Sequence, residues 1–334
     1  MNDIAAKVEP LFDNETWAVV VTPLEVVNDG ATWVAANREM IEGLLVSHPL
    51  VLLRDIGVVT DADFTCVRDV LIPHPADYIY RSTPRTAVGE RVLTTTEYPA
   101  TREILLHCEN AYQRDWPLRM MFGCIKAPTS GGQTPFAHMP EVTEALAEVL
   151  GEEQLNEFEK RGVRYLRNYH EGFDLDWRTV FQSNDPRQIE AYCDANGLEY
   201  AWHSDGHLKT SQCCQAIAHH PLTGERLWFN QAHLFHPTAL GDEVLEDLLD
   251  IFGEEGLPRD ARYGDGEPID PALLASIREV FAEASRQFDW QEGDITLFDN
   301  MRAAHARRPF TGERRVLVSM GDMMSGYAEP KKIS

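Results

Sequence analysis

A chain of 334 residues, 43% of them hydrophobic, is globular in composition, long enough to bury a substantial core as one large domain or two. Its 54 acidic and 30 basic residues leave a net charge of −24, which argues against nucleic acid and anionic lipid as partners and serves solubility. No apolar run reaches the roughly 18 residues of a membrane span, and Met1-Asn2-Asp3-Ile4 opens no signal peptide, so a cytoplasmic setting is expected.

Pro49-Leu50-Val51-Leu52-Leu53-Arg54 reads as a buried strand. Residues 61–72 read as a helix opened by Asp61, with Phe64, Val67 and Val70 on one face. Residues 142–150 form a short amphipathic helix closed by Gly151, and a second runs to Gly162. Much of the acid excess falls in 242–292, a solvated helical stretch. There Asp270 caps a helix with Pro271 in its first position, and Leu273, Ile277, Phe281, Ala284 and Phe288 line one face. Gly293-Asp294 turns into a strand over 295–298, and 314–320 is another strand. Short strands between glycine and proline turns suit an antiparallel roll with helices outside. Repeats, low-complexity linkers, Gly-x-Gly-x-x-Gly and a Walker loop are all absent. The six cysteines include no Cys-x-x-Cys pair, and adjacent Cys213 and Cys214 point to opposite faces of a strand, so free thiols are expected.

The chemistry concentrates in His107-Cys108-Glu109 and a lone His305 near the C-terminus. Two imidazoles and one carboxylate on one face of a metal leave the opposite face open, which is the ligand set of non-haem Fe(II) oxygenases. A second His-x-acid pair, His203-x-Asp205, competes with the first, and about two such pairs are expected by chance from this composition. After Glu109 comes Gly131-Gly132-Gln133-Thr134, a tight turn whose threonine can offer a hydroxyl to a carboxylate. After His305 comes the pair Arg314-Arg315, of which strand alternation turns only one inward. A guanidinium inside a roll calls for a carboxylate, which the far end of a 2-oxo diacid would supply.

This order of His-x-Glu, Gly-Gly-x-Thr, distant His and following Arg resembles the taurine dioxygenase-like, clavaminate synthase-like family of Fe(II)/2-oxoglutarate oxygenases. The resemblance covers roughly residues 40–325 and is nearest the branch of the aspartyl hydroxylase of syringomycin biosynthesis. Supporting strings are Arg81-Ser82-Thr83-Pro84-Arg85-Thr86, Thr96-Glu97-Tyr98-Pro99, Trp228-Phe229-Asn230-Gln231-Ala232 and Phe298-Asp299-Asn300. It implies an α+β fold: a double-stranded β-helix (jelly-roll) core with flanking helices, in a single oxygenase domain spanning 1–334. The roll core would occupy roughly 40–140 and 290–325, with a large insertion between roll strands over roughly 141–289. It makes His107, Glu109 and His305 the iron ligands and gives the distal carboxylate of 2-oxoglutarate to Thr134 and Arg315, with Arg314 the competing choice. Cys108 departs from the polar residue frequent between the ligands, and a thiol beside iron is an oxidation liability.

The implied reaction uses Fe(II), O2 and 2-oxoglutarate to hydroxylate an unactivated carbon. A carboxylate at Glu109 favours hydroxylation over halogenation. The implied substrate is a small polar molecule, an amino acid either free or tethered to a carrier protein, in secondary metabolism. Arg85 is a candidate for its carboxylate, and Asn110 and Tyr112 sit just past Glu109 on the same strand. Desaturation, cyclisation or epoxidation at the same centre is the alternative outcome. A zinc hydrolase is the alternative from another class, although no His-Glu-x-x-His helix supplies its base. A non-catalytic binding roll is a third, against which the intact ligand set argues. Substrate identity and oligomeric state are not legible.

Overall fold

A computed structural model describes residues 6–325, except 78, 81, 83, 84, 96, 97 and 205. Arg81, Thr83, Pro84, Thr96, Glu97 and Asp205 therefore lie outside the described residues.

The first part of the chain runs β1 (Ala6–Pro10), β2 (Ala18–Pro23), α1 (Gly30–Ala36), α2 (Arg38–Ser47), β3 (Leu50–Leu53) and α3 (Asp61–Leu71). It continues with β4 (Ala87–Gly89), β5 (Val92–Thr94), β6 (Ile104–His107), β7 (Asp115–Lys126), β8 (Ser130–Gly131) and β9 (Phe136–His138). α3 starts as an N-cap dictates: the Thr60 hydroxyl accepts from the Asp63 amide while the Asp63 carboxylate accepts from the Thr60 amide. The helix begins at Asp61 as expected, with Thr60 as its cap.

The middle part carries α4 (Met139–Leu150), α5 (Glu152–Arg161), β10 (Val163–Asn168), α6 (Trp177–Phe181), α7 (Pro186–Asn196), β11 (Glu199–Trp202) and β12 (Leu208–Cys214). Then come β13 (Ile217–His219), β14 (Arg226–Trp228), α8 (Ala232–Phe235), α9 (Asp242–Gly256), β15 (Arg259–Tyr263) and α10 (Pro271–Glu283). α10 buries Leu274, Ile277, Val280 and Phe281. The expected stripe through Leu273 and Phe288 is corrected, because the helix ends at Glu283 and Phe288 lies beyond it. The last strands are β16 (Ile295–Asp299), β17 (Ala303–Arg307), β18 (Phe310–Thr311) and β19 (Arg315–Ser325).

Eight strands form one sheet in the order β1-β2-β3-β16-β7-β19-β5-β4, antiparallel except for β2 beside β3. Facing it are the three-stranded sheet β6-β17-β9 and the short pair β8-β18. The jelly-roll core lies between them, where Phe122 of β7, Phe298 of β16 and Phe136 of β9 meet at ring distances of 5.1 and 5.2 Å. The outer face of the large sheet is equally dry: Phe64, Val67 and Leu71 of α3 pack with Ile41 of α2 on Leu297 and Leu317. Gly123 on β7 allows this, since a Cβ there would stand 2.3 Å from the Phe64 ring. The segment between β9 and β16 holds its own sheet, β11-β12-β10-β15, which hydrogen-bonds to neither wall of the roll.

Candidate metal centre and its pocket

β6 and β17 pair with His107 directly opposite His305, which puts both imidazoles on one face. Their ring centroids are 4.5 Å apart. β6 ends at His107; the chain then turns, with Asn110 in the left-handed region at φ 57°. This turn swings Glu109 back beside the histidines, and one ligating atom from each of the three falls within 4.8 Å of the others. Among the described residues no other His, Cys, Asp or Glu cluster of this size is so gathered. His203 is exposed in the turn after β11, apart from this cluster.

The turn is held by side chains where no strand pairs with it. His233 Nε2 meets the Leu106 carbonyl at 3.0 Å, and Gln231 Nε2 donates to the Cys108 carbonyl at 2.7 Å. Asn300, fully buried, grips Glu109 from both sides: Nδ2 donates to its carbonyl at 2.9 Å and Oδ1 accepts from its amide at 2.7 Å. These three side chains satisfy backbone groups that would otherwise be buried unpaired. The sequence reading missed their role; the strings Asn230-Gln231 and Asp299-Asn300 were the available signal.

His107 Nδ1 lies 2.8 Å from the Leu105 carbonyl, which can only accept, so Nδ1 carries the proton and Nε2 keeps its lone pair. Burial, reinforced by His305, pushes the His107 pKa down to about 3. Burial likewise lowers His305. Burial by itself would raise Glu109, but Arg85 and the two histidines outweigh it and hold the carboxyl well below its usual range. The centre therefore presents two neutral imidazoles and one carboxylate. That donor set fits a divalent first-row metal with a half-open coordination sphere, and the match with Fe(II) is chemical as well as spatial.

The Arg85 side chain, 4% exposed, donates to Glu109 Oε2 at 2.8 Å. Arg85 thus meets the ligand carboxylate rather than standing free for a substrate. Asn110 and Tyr112 are not on the ligand strand as expected. Asn110 is buried in the turn, and Tyr112 packs in the core with its hydroxyl on the Tyr80 carbonyl at 2.8 Å and its ring 5.0 Å from Phe235. Tyr112 does not line the pocket. Cys108 is also turned into the core, and burial pushes its thiol pKa up, so the expected oxidation liability is corrected to an inert thiol.

The ligands open onto a pocket of about 380 Å³, lined also by Arg85, Thr134, Arg307 and Arg314. The expectation that Arg315 faces inward is corrected. Its guanidinium lies outside the roll on Asp61 of α3, with Nε 3.0 Å from Oδ1. Arg314 enters the pocket, where its partners are the Gly132 carbonyl at 3.0 Å, Thr95 Oγ1 at 3.2 Å and Thr134 Oγ1 at 3.4 Å. Gly132 leaves the room: a Cβ there would stand 3.1 Å from Arg314 Cδ. Burial, with nearby Arg307 adding repulsion, pushes the Arg314 pKa down to about 10. It is a desolvated cation whose partners among the described residues are all neutral. Thr134 Oγ1 already accepts from Trp290 Nε1 at 3.0 Å, so its own proton is free to be donated. Arg307, also unanticipated, ties down the outer segment through the carbonyls of Tyr98, Pro99 and Arg102 at 2.9, 2.7 and 2.8 Å.

Comparison with known proteins agrees with this geometry. The family model described as "Taurine catabolism dioxygenase TauD, TfdA family" matches residues 21–320. The dapdiamide synthesis protein DdaC of Enterobacter agglomerans is 39% identical over 293 residues, 88% of each chain. A clavaminate synthase-like protein of Arabidopsis thaliana is 28% identical over 295 residues, 86% of each. Among solved structures, PvcB of Pseudomonas aeruginosa superposes with a TM-score of 0.53 at 18% identity, covering 96% of this chain and 92% of that one. A taurine dioxygenase of Burkholderia xenovorans gives 0.54 at 14% identity, covering 98% and 96%. The chain belongs to the TauD/TfdA family of dioxygenases, iron- and 2-oxoglutarate-dependent enzymes built on the jelly roll.

Proposed function

We propose that the enzyme hydroxylates an unactivated carbon of a small polar substrate, an amino acid or near derivative, free or carried on a protein, in secondary metabolism. The observation that carries this reading is the shared pocket: His107, His305, Arg314 and Thr134 line one cavity, with Glu109 at its Arg85 wall. His107, Glu109 and His305 would hold Fe(II). Arg314 and Thr134 would take the distal carboxylate of 2-oxoglutarate, since a desolvated guanidinium and a free hydroxyl proton together suit a carboxylate. A metal held by His107, Glu109 and His305 would supply the O2 chemistry that couples decarboxylation of 2-oxoglutarate to succinate with oxidation of the substrate.

The protein's own residues orient and exclude. Arg85 keeps one carboxylate oxygen of Glu109 hydrogen-bonded, which limits how that carboxylate can turn. Ile104 and Phe122 form the apolar wall that keeps water out. The assignment to secondary metabolism is supported by the name of the 39%-identical relative, a dapdiamide synthesis protein. The segment between β9 and β16, with its separate sheet, fits an insertion between roll strands within one domain of 1–334. Six free cysteines fit a reducing, cytoplasmic setting. Among the described residues no helix is long and apolar enough to cross a membrane.

Anaerobic titration of the Fe(II) protein with 2-oxoglutarate tests the reading. A weak visible charge-transfer band is expected, absent in His107→Ala and Glu109→Ala and retained in His203→Ala. No band in the unaltered protein, with tight zinc binding instead, overturns it. A metabolite screen for succinate release then identifies the substrate, and product mass separates hydroxylation from desaturation, cyclisation or epoxidation.

A further inference from the structure

A second cavity, of about 490 Å³, shares β6 and β17 with the metal centre. Along β17, His305 and Arg307 reach the first cavity, Arg308 beyond the strand reaches the second, and Ala306 borders both. α10 closes the far side with Arg278, Phe281 and Ala282, facing Leu105 and Leu106 of β6. Leu105, Leu106, Pro135, Phe281, Ala282 and Ala306 make up the apolar part of the lining, beside the Glu103–Arg308 ion pair, Ser285, His233 and Arg278. Arg308 is spent on Glu103. Arg278 is not: Nε donates to the His233 carbonyl at 2.9 Å and Nη2 to Thr238 Oγ1 at 2.8 Å, and no carboxylate among the described residues pairs with it. In a chain with 54 acidic residues, a half-buried guanidinium held only by neutral acceptors is unusual. Burial alone lowers its pKa, consistent with a cation lacking a counter-ion. His233, 1% exposed, lines the same cavity; its Nε2 serves the Leu106 carbonyl, and its buried Nδ1 has no partner among the described residues.

We propose that this cavity binds a small organic carboxylate, with the charge on Arg278 and a short apolar body between Phe281, Leu105 and Leu106. Its occupant lies against the strands that carry His107 and His305, yet shares none of the cations of the first pocket. The proposal goes beyond the oxygenase reading and does not depend on it.

Fluorine NMR of para-fluorobenzoate tests it, on protein loaded with Zn(II) and excess 2-oxoglutarate. The readout is the probe's line width, so turnover plays no part. Saturable broadening is expected with the unaltered protein. Arg278→Gln should weaken it at least about tenfold, the size expected for a lost charge-assisted hydrogen bond. Ala282→Phe narrows the cavity from the exposed side of α10 without touching the Arg278 hydrogen bonds, and should weaken binding as much. Arg315→Ala, on the far side of the large sheet, should leave it unchanged. No broadening with the unaltered protein, broadening in both cavity variants as strong as in the unaltered protein, or loss of broadening on raising 2-oxoglutarate would each overturn the proposal.

Discussion

At the scale of single residues, Arg314 and Arg315 are chemically identical neighbours with opposite fates. Arg314→Gln removes the cation that donates to Thr134 inside the pocket. Truncating one partner of a buried charge pair costs about 2–5 kcal/mol, so the dissociation constant for 2-oxoglutarate should rise by roughly two to three powers of ten. The Arg315–Asp61 pair is 39% and 34% exposed, and such pairs contribute little. Arg315→Ala should change the same constant by less than about fivefold. Anaerobic titration of both variants checks the contrast, and the reverse order would mean that β19 is in the other register. Asn300→Ala leaves the Glu109 amide, the Glu109 carbonyl and the Pro117 carbonyl short of a partner. Metal affinity should fall about 10–100-fold, as for other residues that orient ligands. Competition with a chromophoric chelator measures it, and unchanged affinity would show that the turn holds Glu109 unaided.

At the scale of elements, α3 links the outer layer to the site, because it packs on the face of β19 opposite the pocket. Its start depends on the reciprocal Thr60–Asp63 cap. Thr60→Ala should cost about 1 kcal/mol of stability, the usual penalty for a lost N-cap. The urea midpoint should drop accordingly while 2-oxoglutarate affinity stays constant, since Phe64, Val67 and Leu71 still anchor the helix. A loss of affinity would show that α3 positions the pocket more directly than its packing suggests. The helix was legible from its apolar spacing. The Thr60 cap was not read, because both Thr60 and Asp61 are good caps and only the backbone turn chose between them.

At the scale of the whole molecule, buried neutral histidines set the response to acid. His107 is pushed down to about 3 and His233 to about 4, burial being the main cause for both. Unfolded, each would titrate near its ordinary value of about 6.5. Between those limits the unfolded chain binds more protons than the folded one, so stability falls as pH falls. Glu109 acts in the same direction at lower pH: its folded pKa is depressed, and its contribution is lost as the carboxylate protonates. Each proton taken up on unfolding contributes a slope of about 1.4 kcal/mol per pH unit. The metal-free protein should therefore lose stability steadily from about pH 6.5 to about pH 4. Urea midpoints at several pH values check this, and a flat profile would mean that the histidines are open to water.

His107, Glu109 and His305 were legible in the sequence as a candidate metal-binding set, because a His-x-Glu pair answered by a distant histidine offers the donors of a half-open iron site, and folding brings their ligating atoms within 4.8 Å of one another. The sequence also determined the Thr134 turn, because Gly131 and Gly132 both adopt positive φ, which other residues rarely do. Only tertiary structure decided which arginine enters the pocket. Val316 and Val318 pack in the roll interior, while Leu317 packs under α3. Since both faces of β19 are dry, its side chains are apolar in both phases, and alternation carries no sign of which face is inside. The same holds for Arg85 and Asn300. Their partner Glu109 is 24 and 191 residues away along the chain, and a contact made by folding leaves no spacing to read.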